Sequence, residues 1–214
     1  MNAMTDKQSF DAIRARRGGT LSQEHVNTIN AIMYPGTEPA ATGEPLAWGA
    51  KVSPSFRNKV RAVAARLLCD ASDLMSCMAW ESGRTFSPSV KNAAGSGATG
   101  LIQFMPDTAK GLGTTVAALA AMTAEQQLDW VEKYFQPYKG KLSSLADLYM
   151  AILWPAGVGK AMEYVLWDKN SRPTTYRQNM GLDVNKDGII TKAECSAKLY
   201  AMKAEGQKPE NMAA

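Results

Sequence analysis

The 214-residue sequence is 45% hydrophobic and 21% charged, the balance of an ordinary globular chain that is long enough to bury a core without disulfides or metals. No run approaches the ~18 apolar residues of a membrane span. A net charge of +4, with a pI near 8.9, is too small to argue for a nucleic-acid partner. Nucleic-acid binding and stable membrane insertion are therefore not expected, and a monomer is.

The N-terminal residues MNAMTDKQSFDAIRARR are charged and contain no apolar h-region, so no secretory signal is expected. Residues 1–33 read as a small helical segment, Asp6–Arg17 and Ser22–Met33, split by Gly18 and Gly19. The single histidine, His25, lies in this polar segment, which excludes zinc hydrolases that need two or three histidines. Residues 34–54 hold Pro35, Gly36, Pro39, Gly43, Pro45 and Pro54, a density of breakers that marks a linker. The cysteines, Cys69, Cys77 and Cys195, are odd in number and read as free thiols. Cys69 and Cys77 would stand roughly 12 Å apart on a continuous helix, too far to pair.

The main domain, residues 55–205, is predicted to be mainly α. Helices are expected over Phe56–Cys69, Ser72–Ser82, Pro106–Lys110, Thr123–Gln136, Leu142–Leu153 and Pro155–Leu166. Thr123 with Gln126 forms a capping-box pattern. No period-2 run of strand length occurs, and a small hairpin is allowed only within 86–104. Residues 206–214 read as a disordered tail.

The stretch most suggestive of chemistry is MAWESGRTFSPSVKNAAGSGATGLIQFM, Met78 to Met105. Glu81 ends the helical part with Cys77, Met78 and Trp80 beside it. Apolar neighbours raise a carboxyl pKa, as a general acid at neutral pH requires. Gly95, Gly97 and Gly100 follow, with small residues between them, so the backbone there can approach a ligand closely. Gln103 then stands alone among Leu101, Ile102, Phe104 and Met105, either a satisfied core amide or a group facing substrate.

These residues resemble the soluble lytic transglycosylase family. In that family an E-S dipeptide precedes an F-x-P element, then S-x-x-G-A-x-G-L-M-Q, then M-P-x-T-A. This chain has Glu81-Ser82, Phe86-Ser87-Pro88, Ser96 through Gln103 with a shortened spacing, and Met105-Pro106-Asp107-Thr108-Ala109. The resemblance covers roughly residues 56–167. It implies a lysozyme-like fold acting on bacterial peptidoglycan, with cleavage of the β-1,4 bond between N-acetylmuramic acid and N-acetylglucosamine. It implies Glu81 as acid/base, Ser82 as its support, and Ser96, Gly100, Gln103, Met105 and Trp154 as substrate-binding residues.

The family's A-Y-N-A-G element corresponds here to Leu153-Trp154-Pro155-Ala156-Gly157, so tyrosine becomes Trp154 and asparagine becomes Pro155. A lone carboxylate suits this reaction, because the substrate supplies its own nucleophile, whereas ordinary glycosidases need two acids. The implied setting is a phage endolysin, made in the host cytoplasm and acting in the periplasm and cell wall. Residues 1–33 would then be a candidate wall-binding segment. Two alternatives stand beside it: a goose-type lysozyme that hydrolyses the same bond, and a virion structural or wall-binding protein without cleavage activity.

A second motif, DVNKDGIITKAE over residues 183–194, fits the twelve-residue EF-hand-like calcium loop. Asp183, Asn185 and Asp187 would supply side-chain oxygens, Ile189 its carbonyl, Thr191 a direct or water-borne contact, and Glu194 a bidentate carboxylate. Gly188 would permit the sharp turn. A single loop of this kind is expected to hold a structural Ca²⁺, with no metal in catalysis.

Overall fold

The computed structural model describes residues 43–93 and 95–214. The expected helical segment 1–33, with His25, and the first part of the expected linker lie outside the described residues. The described chain is mainly helical, with eight α-helices and a two-stranded sheet. The helices are α1 (Pro54–Leu67), α2 (Ala71–Glu81), α3 (Pro106–Leu112), α4 (Val116–Ala120), α5 (Ala124–Phe135), α6 (Leu145–Leu153), α7 (Pro173–Asn179) and α8 (Lys192–Gly206).

Local chemistry accounts for most of these boundaries. Ser53 caps α1 by accepting from Phe56 N at 3.1 Å, with Pro54 in the first turn, where its missing N–H costs nothing. Asp70 caps α2 through Asp73 N at 2.8 Å. The Thr123–Gln126 capping box at the start of α5 is formed in both directions.

The core is built around α2. Leu74, Met75, Cys77, Met78 and Ala79 are all fully buried, so this helix is covered on nearly every side. α6 and α8 pack on it, α1 lies against both α2 and α5, and α6 also meets α8. Each buried Leu or Met stabilises this arrangement by roughly 1.5–3 kcal/mol. Glu81 is thereby the last residue of a helix embedded in apolar side chains.

Three expectations are corrected. Pro155–Leu166 is not a helix: a 3₁₀ turn at Pro155–Gly157 gives way to β1 (Val165–Asp168), which pairs antiparallel with β2 (Ile189–Thr191). Trp154, extended before Pro155, ends the preceding helix, and Gly159 at a φ of +72° lies outside the right-handed helical region, so no helix runs through this stretch. The strands hold four and three residues, too few to show an alternating pattern. Second, the described end of the linker is part of the core. Trp48 is 1% exposed, and its indole donates to the Met202 carbonyl at 3.1 Å. Third, residues 207–214 are not a loose tail. Pro209–Asn211 form a 3₁₀ turn, Leu46 N donates to Ala213 O at 2.9 Å, and Arg57 Nε donates to the Ala214 backbone oxygen at 2.6 Å.

Candidate active site

The residues after α2 build one wall of a cleft. Ser82 N returns to Met78 O at 2.9 Å, and the chain turns through Gly83 (φ +60°) and Arg84 (φ +66°). The segment 90–104 then folds back on itself as three short extended pieces. Thr99 is bridged to Lys91 on one side and to Phe104 on the other. Asn92 N donates to Ala98 O at 2.9 Å and Gly100 N to Val90 O at 2.8 Å. Gln103 closes the fold in the left-handed region (φ 53°), uncommon for a residue with a side chain. Its side-chain amide holds the turn by donating to Val90 O at 3.3 Å and Gly100 O at 3.2 Å. Both amide protons are used in this way, which leaves the side-chain oxygen to offer a ligand.

Between this fold and the end of α2 lies a cleft of about 380 Å³, lined by Trp80, Glu81, Ser82, Gly83, Val90, Lys91, Asn92, Ala93 and Gln103. Glu81 is the only carboxylate among these lining residues. Burial pushes its carboxyl up to about 7 from an ordinary 4.5, and no neighbouring charge contributes to the shift. No hydrogen bond or ion pair reaches that carboxylate among the described residues. The Tyr134 and Tyr149 hydroxyls stand near enough to feel the Glu81 charge, which adds to a rise caused first by burial. Tyr134 donates to Ala151 O at 2.7 Å, and Tyr149 accepts from the Trp80 indole. A carboxyl that titrates near neutrality without a partner can both donate and accept a proton within one cycle.

The other residues singled out in the sequence fall into three groups. Gln103 shares the cleft with Glu81. Met105, 46% exposed, lines a smaller hollow of about 50 Å³ on the other side of Gln103, together with Ile102, Phe104, Thr108, Tyr134 and Ile152. Ser82, Gly100, Ser96 and Trp154 are engaged differently. Ser82 is 1% exposed; its hydroxyl donates to Met78 O at 2.6 Å and accepts from Phe86 N at 3.0 Å, so it shapes the helix exit that presents Glu81. Ser96 is exposed in the loop and accepts from Ala98 N at 3.3 Å. Trp154 packs edge-on against Trp167 at 5.5 Å, with the Arg172 guanidinium 5.0 Å from its ring centre. Neither Ser96 nor Trp154 lines either hollow.

Gly100 is buried against Gln127, whose side-chain oxygen occupies the space a Cβ would need. Gln127 itself has no counterpart in the sequence reading. It is fully buried, accepts from Leu101 N at 2.7 Å, and donates to Pro88 O at 3.0 Å and Leu119 O at 2.9 Å. One amide on α5 thus ties down both ends of the cleft loop. Its only sequence signal was a polar residue on the inward stripe of α5, between the capping box and Leu128. Tyr134 and Tyr149 were hidden in the same way, within stripes that read as core.

The loop 183–194 lies away from the cleft. Asp183 is 8% exposed; its Oδ2 accepts from the Tyr176 hydroxyl at 2.6 Å and from Gly188 N at 3.0 Å, while its buried Oδ1 has no partner. The Tyr176 hydroxyl holds the Asp183 carboxyl below its usual range. Asn185 and Asp187 accept from Asp187 N and Ile189 N at 3.0 and 2.7 Å. Glu194 reaches back to Val184 N at 3.1 Å. Thr191 serves as the N-cap of α8, its hydroxyl accepting from Glu194 N at 3.3 Å. Among the described residues no three acidic, histidine or cysteine side chains already converge closely enough to hold a metal ion. No described helix is long and apolar enough to cross a membrane. Comparison with models of known protein families finds no match, and comparison with curated proteins finds none either.

Proposed function

We propose that the chain is a peptidoglycan lytic transglycosylase of lysozyme-like fold, cleaving the β-1,4 bond between N-acetylmuramic acid and N-acetylglucosamine. The observation that carries this reading is Glu81, the one carboxylate among the described residues lining the cleft, held by burial near 7. The resemblance of residues 81–109 to the family motifs supports it, as does a mainly helical frame that ends a buried helix at the acid.

Protonated Glu81 gives its proton to the glycosidic oxygen as the bond from C1 of the muramic acid to that oxygen breaks. The departing N-acetylglucosamine leaves with a free hydroxyl. The Glu81 carboxylate then takes the proton of the C6 hydroxyl on the same muramic acid, and O6 closes on C1. The product is a 1,6-anhydro ring, and the acid is restored. Nucleophile and electrophile belong to one sugar, so closing the ring carries no bimolecular entropy cost. On this reading the Gln103 oxygen accepts from a sugar hydroxyl or acetamide N–H in the cleft. Apolar Met105 offers contact further along the chain of sugars. We read the biological setting as host lysis by a phage, with synthesis in the host cytoplasm and action on the wall.

Mass spectrometry of digested peptidoglycan tests the reading. Fragments ending in 1,6-anhydromuramic acid, lighter by one water than hydrolysed ends, are expected from the parent and not from Glu81→Gln. Reducing muramic acid ends would replace this mechanism with hydrolysis of the goose-lysozyme type. Wall that stays intact with the parent, or is cut equally by the variant, would refute the assignment and favour a structural or wall-binding role.

A further inference from the structure

We propose that residues 183–194 form a single calcium site whose occupation braces α6, the helix that carries Tyr149 beside Glu81. The starting point is the Asp183 carboxylate. It is more than nine-tenths buried, and its Oδ1 forms no hydrogen bond, although the Lys186 and Asp187 backbone amides lie near the carboxylate. A buried carboxylate oxygen without a partner is costly, and a cation is the ligand that removes the cost. Its Oδ2 accepts from Gly188 N, five residues on, so the carboxylate lies across the inside of the loop.

The remaining donors follow Asp183 within the same twelve-residue loop. Gly188 turns at φ +88°, and the Lys169 side chain fills the space where a Cβ would stand, so the turn needs glycine. The Glu194 carboxylate is drawn back to the start of the loop by Val184 N, ten residues earlier, beside Asp183. The Asn185 amide and the Asp187 carboxylate bond each other at 3.0 Å, a contact that a cation would replace by turning both oxygens inward. Turned inward, three carboxylates, one amide oxygen and a backbone carbonyl would form an all-oxygen set, with Glu194 as its bidentate member. Such a set suits calcium, whose coordination is large and flexible, better than magnesium, which demands a small octahedron.

The loop is joined to α6 by two routes. Lys192, two residues before Glu194, is 2% exposed and reaches Asp147 Oδ1 at 2.6 Å and Lys160 O at 2.8 Å. Asp147 lies in the first turn of α6, the helix that carries Tyr149 beside Trp80 and Glu81. The second route is the sheet: Ile190 of β2 pairs with Trp167 of β1, which packs on Trp154 at the end of α6. Fixing the loop therefore fixes both the start and the end of α6. No step of the cleavage reaction uses the cation, so this proposal and the cleavage reading fail independently.

The test is a titration of calcium chloride alone into the full, chelator-treated chain. One calcium per chain is expected by calorimetry, half-saturating within roughly 10⁻⁶–10⁻³ M. At a hundredfold excess over Kd, the melting temperature should rise by about 5–10 °C. Magnesium at the same concentration should leave the melt unmoved. Glu194→Gln should melt like the calcium-free parent whether or not calcium is present. Tryptophan fluorescence should follow the titration, and Trp167→Phe should remove most of the change while the calorimetric binding persists. Absence of binding heat and of a melting shift in the parent, an equal response to magnesium, or an undiminished calcium response in Glu194→Gln would overturn the site. A fluorescence change unaffected by Trp167→Phe would overturn the link to α6.

Discussion

Replacing Glu81 with glutamine tests how its side chain is solvated, independently of any substrate. Burial holds its carboxyl at about 7 in the folded chain against 4.5 when free, a difference of about 2.5 units and thus about 3 kcal/mol at 1.36 kcal/mol per unit. The sign follows from proton binding. Between the two values the folded state holds a proton that the unfolded state has released, so the parent loses stability as pH rises through this window. Below about 4.5 both states are protonated and no penalty exists. Above about 7 the folded state carries a desolvated charge, and the penalty is complete.

Glutamine has nearly the same shape and no charge, so the variant escapes the penalty. Urea unfolding of both proteins at pH 4, 5.5, 7 and 8.5 should show near-equal stability at pH 4. The variant should gain progressively, to about 3 kcal/mol at pH 8.5. In a thermal scan the same gain corresponds to roughly 6–12 °C. A variant that is also inactive would show that this buried charge is retained for function at a cost in stability. A difference that stays constant across the four pH values, or a parent that becomes relatively more stable as pH rises, would refute the claim that Glu81 is desolvated and unpaired.

Two further changes probe the frame around the site. Gln127→Leu removes the acceptor for Leu101 N and the donors for Pro88 O and Leu119 O. It should destabilise the chain by about 2–4 kcal/mol in urea titration and speed amide exchange at Leu101. Unchanged exchange there would show that the loop holds itself without the amide. Lys192→Met leaves the buried Asp147 carboxylate without its ammonium partner and should cost about 3–5 kcal/mol. Pairing it with Asp147→Leu should recover much of that loss, because the penalty comes from the orphaned charge. A double variant no better than the single one would argue against this origin.

Much of the site was legible in the sequence because its signals are local. A capping residue and the amide it satisfies lie three apart, so Thr123 with Gln126 could be read directly. Glu81 was legible as an acid among apolar neighbours because Cys77, Met78 and Trp80 lie within one turn of it. The glycine-rich run likewise announced an irregular backbone, and Gly95, Gly97 and Gly100 all adopt positive φ.

What each side chain does depended on residues far away in the chain. Ser82 reads as a partner of Glu81 by adjacency, yet successive residues on a helix point apart, and its hydroxyl turns inward to Met78 and Phe86. Gly100 reads as a glycine for a ligand, and the space it leaves is filled by Gln127, 27 positions later. Trp154 reads as a cleft aromatic, yet it packs against Trp167, which β1 brings back 13 positions later. Trp48 and the last residues read as linker and tail. They are held by partners 154 and 157 residues distant, Met202 for Trp48 and Ala214 for Arg57.

Periodicity and capping describe contacts within about four residues; they sufficed for α1, α2, α3, α5 and α6 and for placing the acid at the end of α2, while α4, α7 and the strand β1 went unread. Whether that acid is dry, which amide holds its loop, and which aromatics face the cleft depend on which surfaces meet when the helices pack. Those pairings follow from the total apolar area the chain can bury and the polar groups it must satisfy, and no local pattern records them.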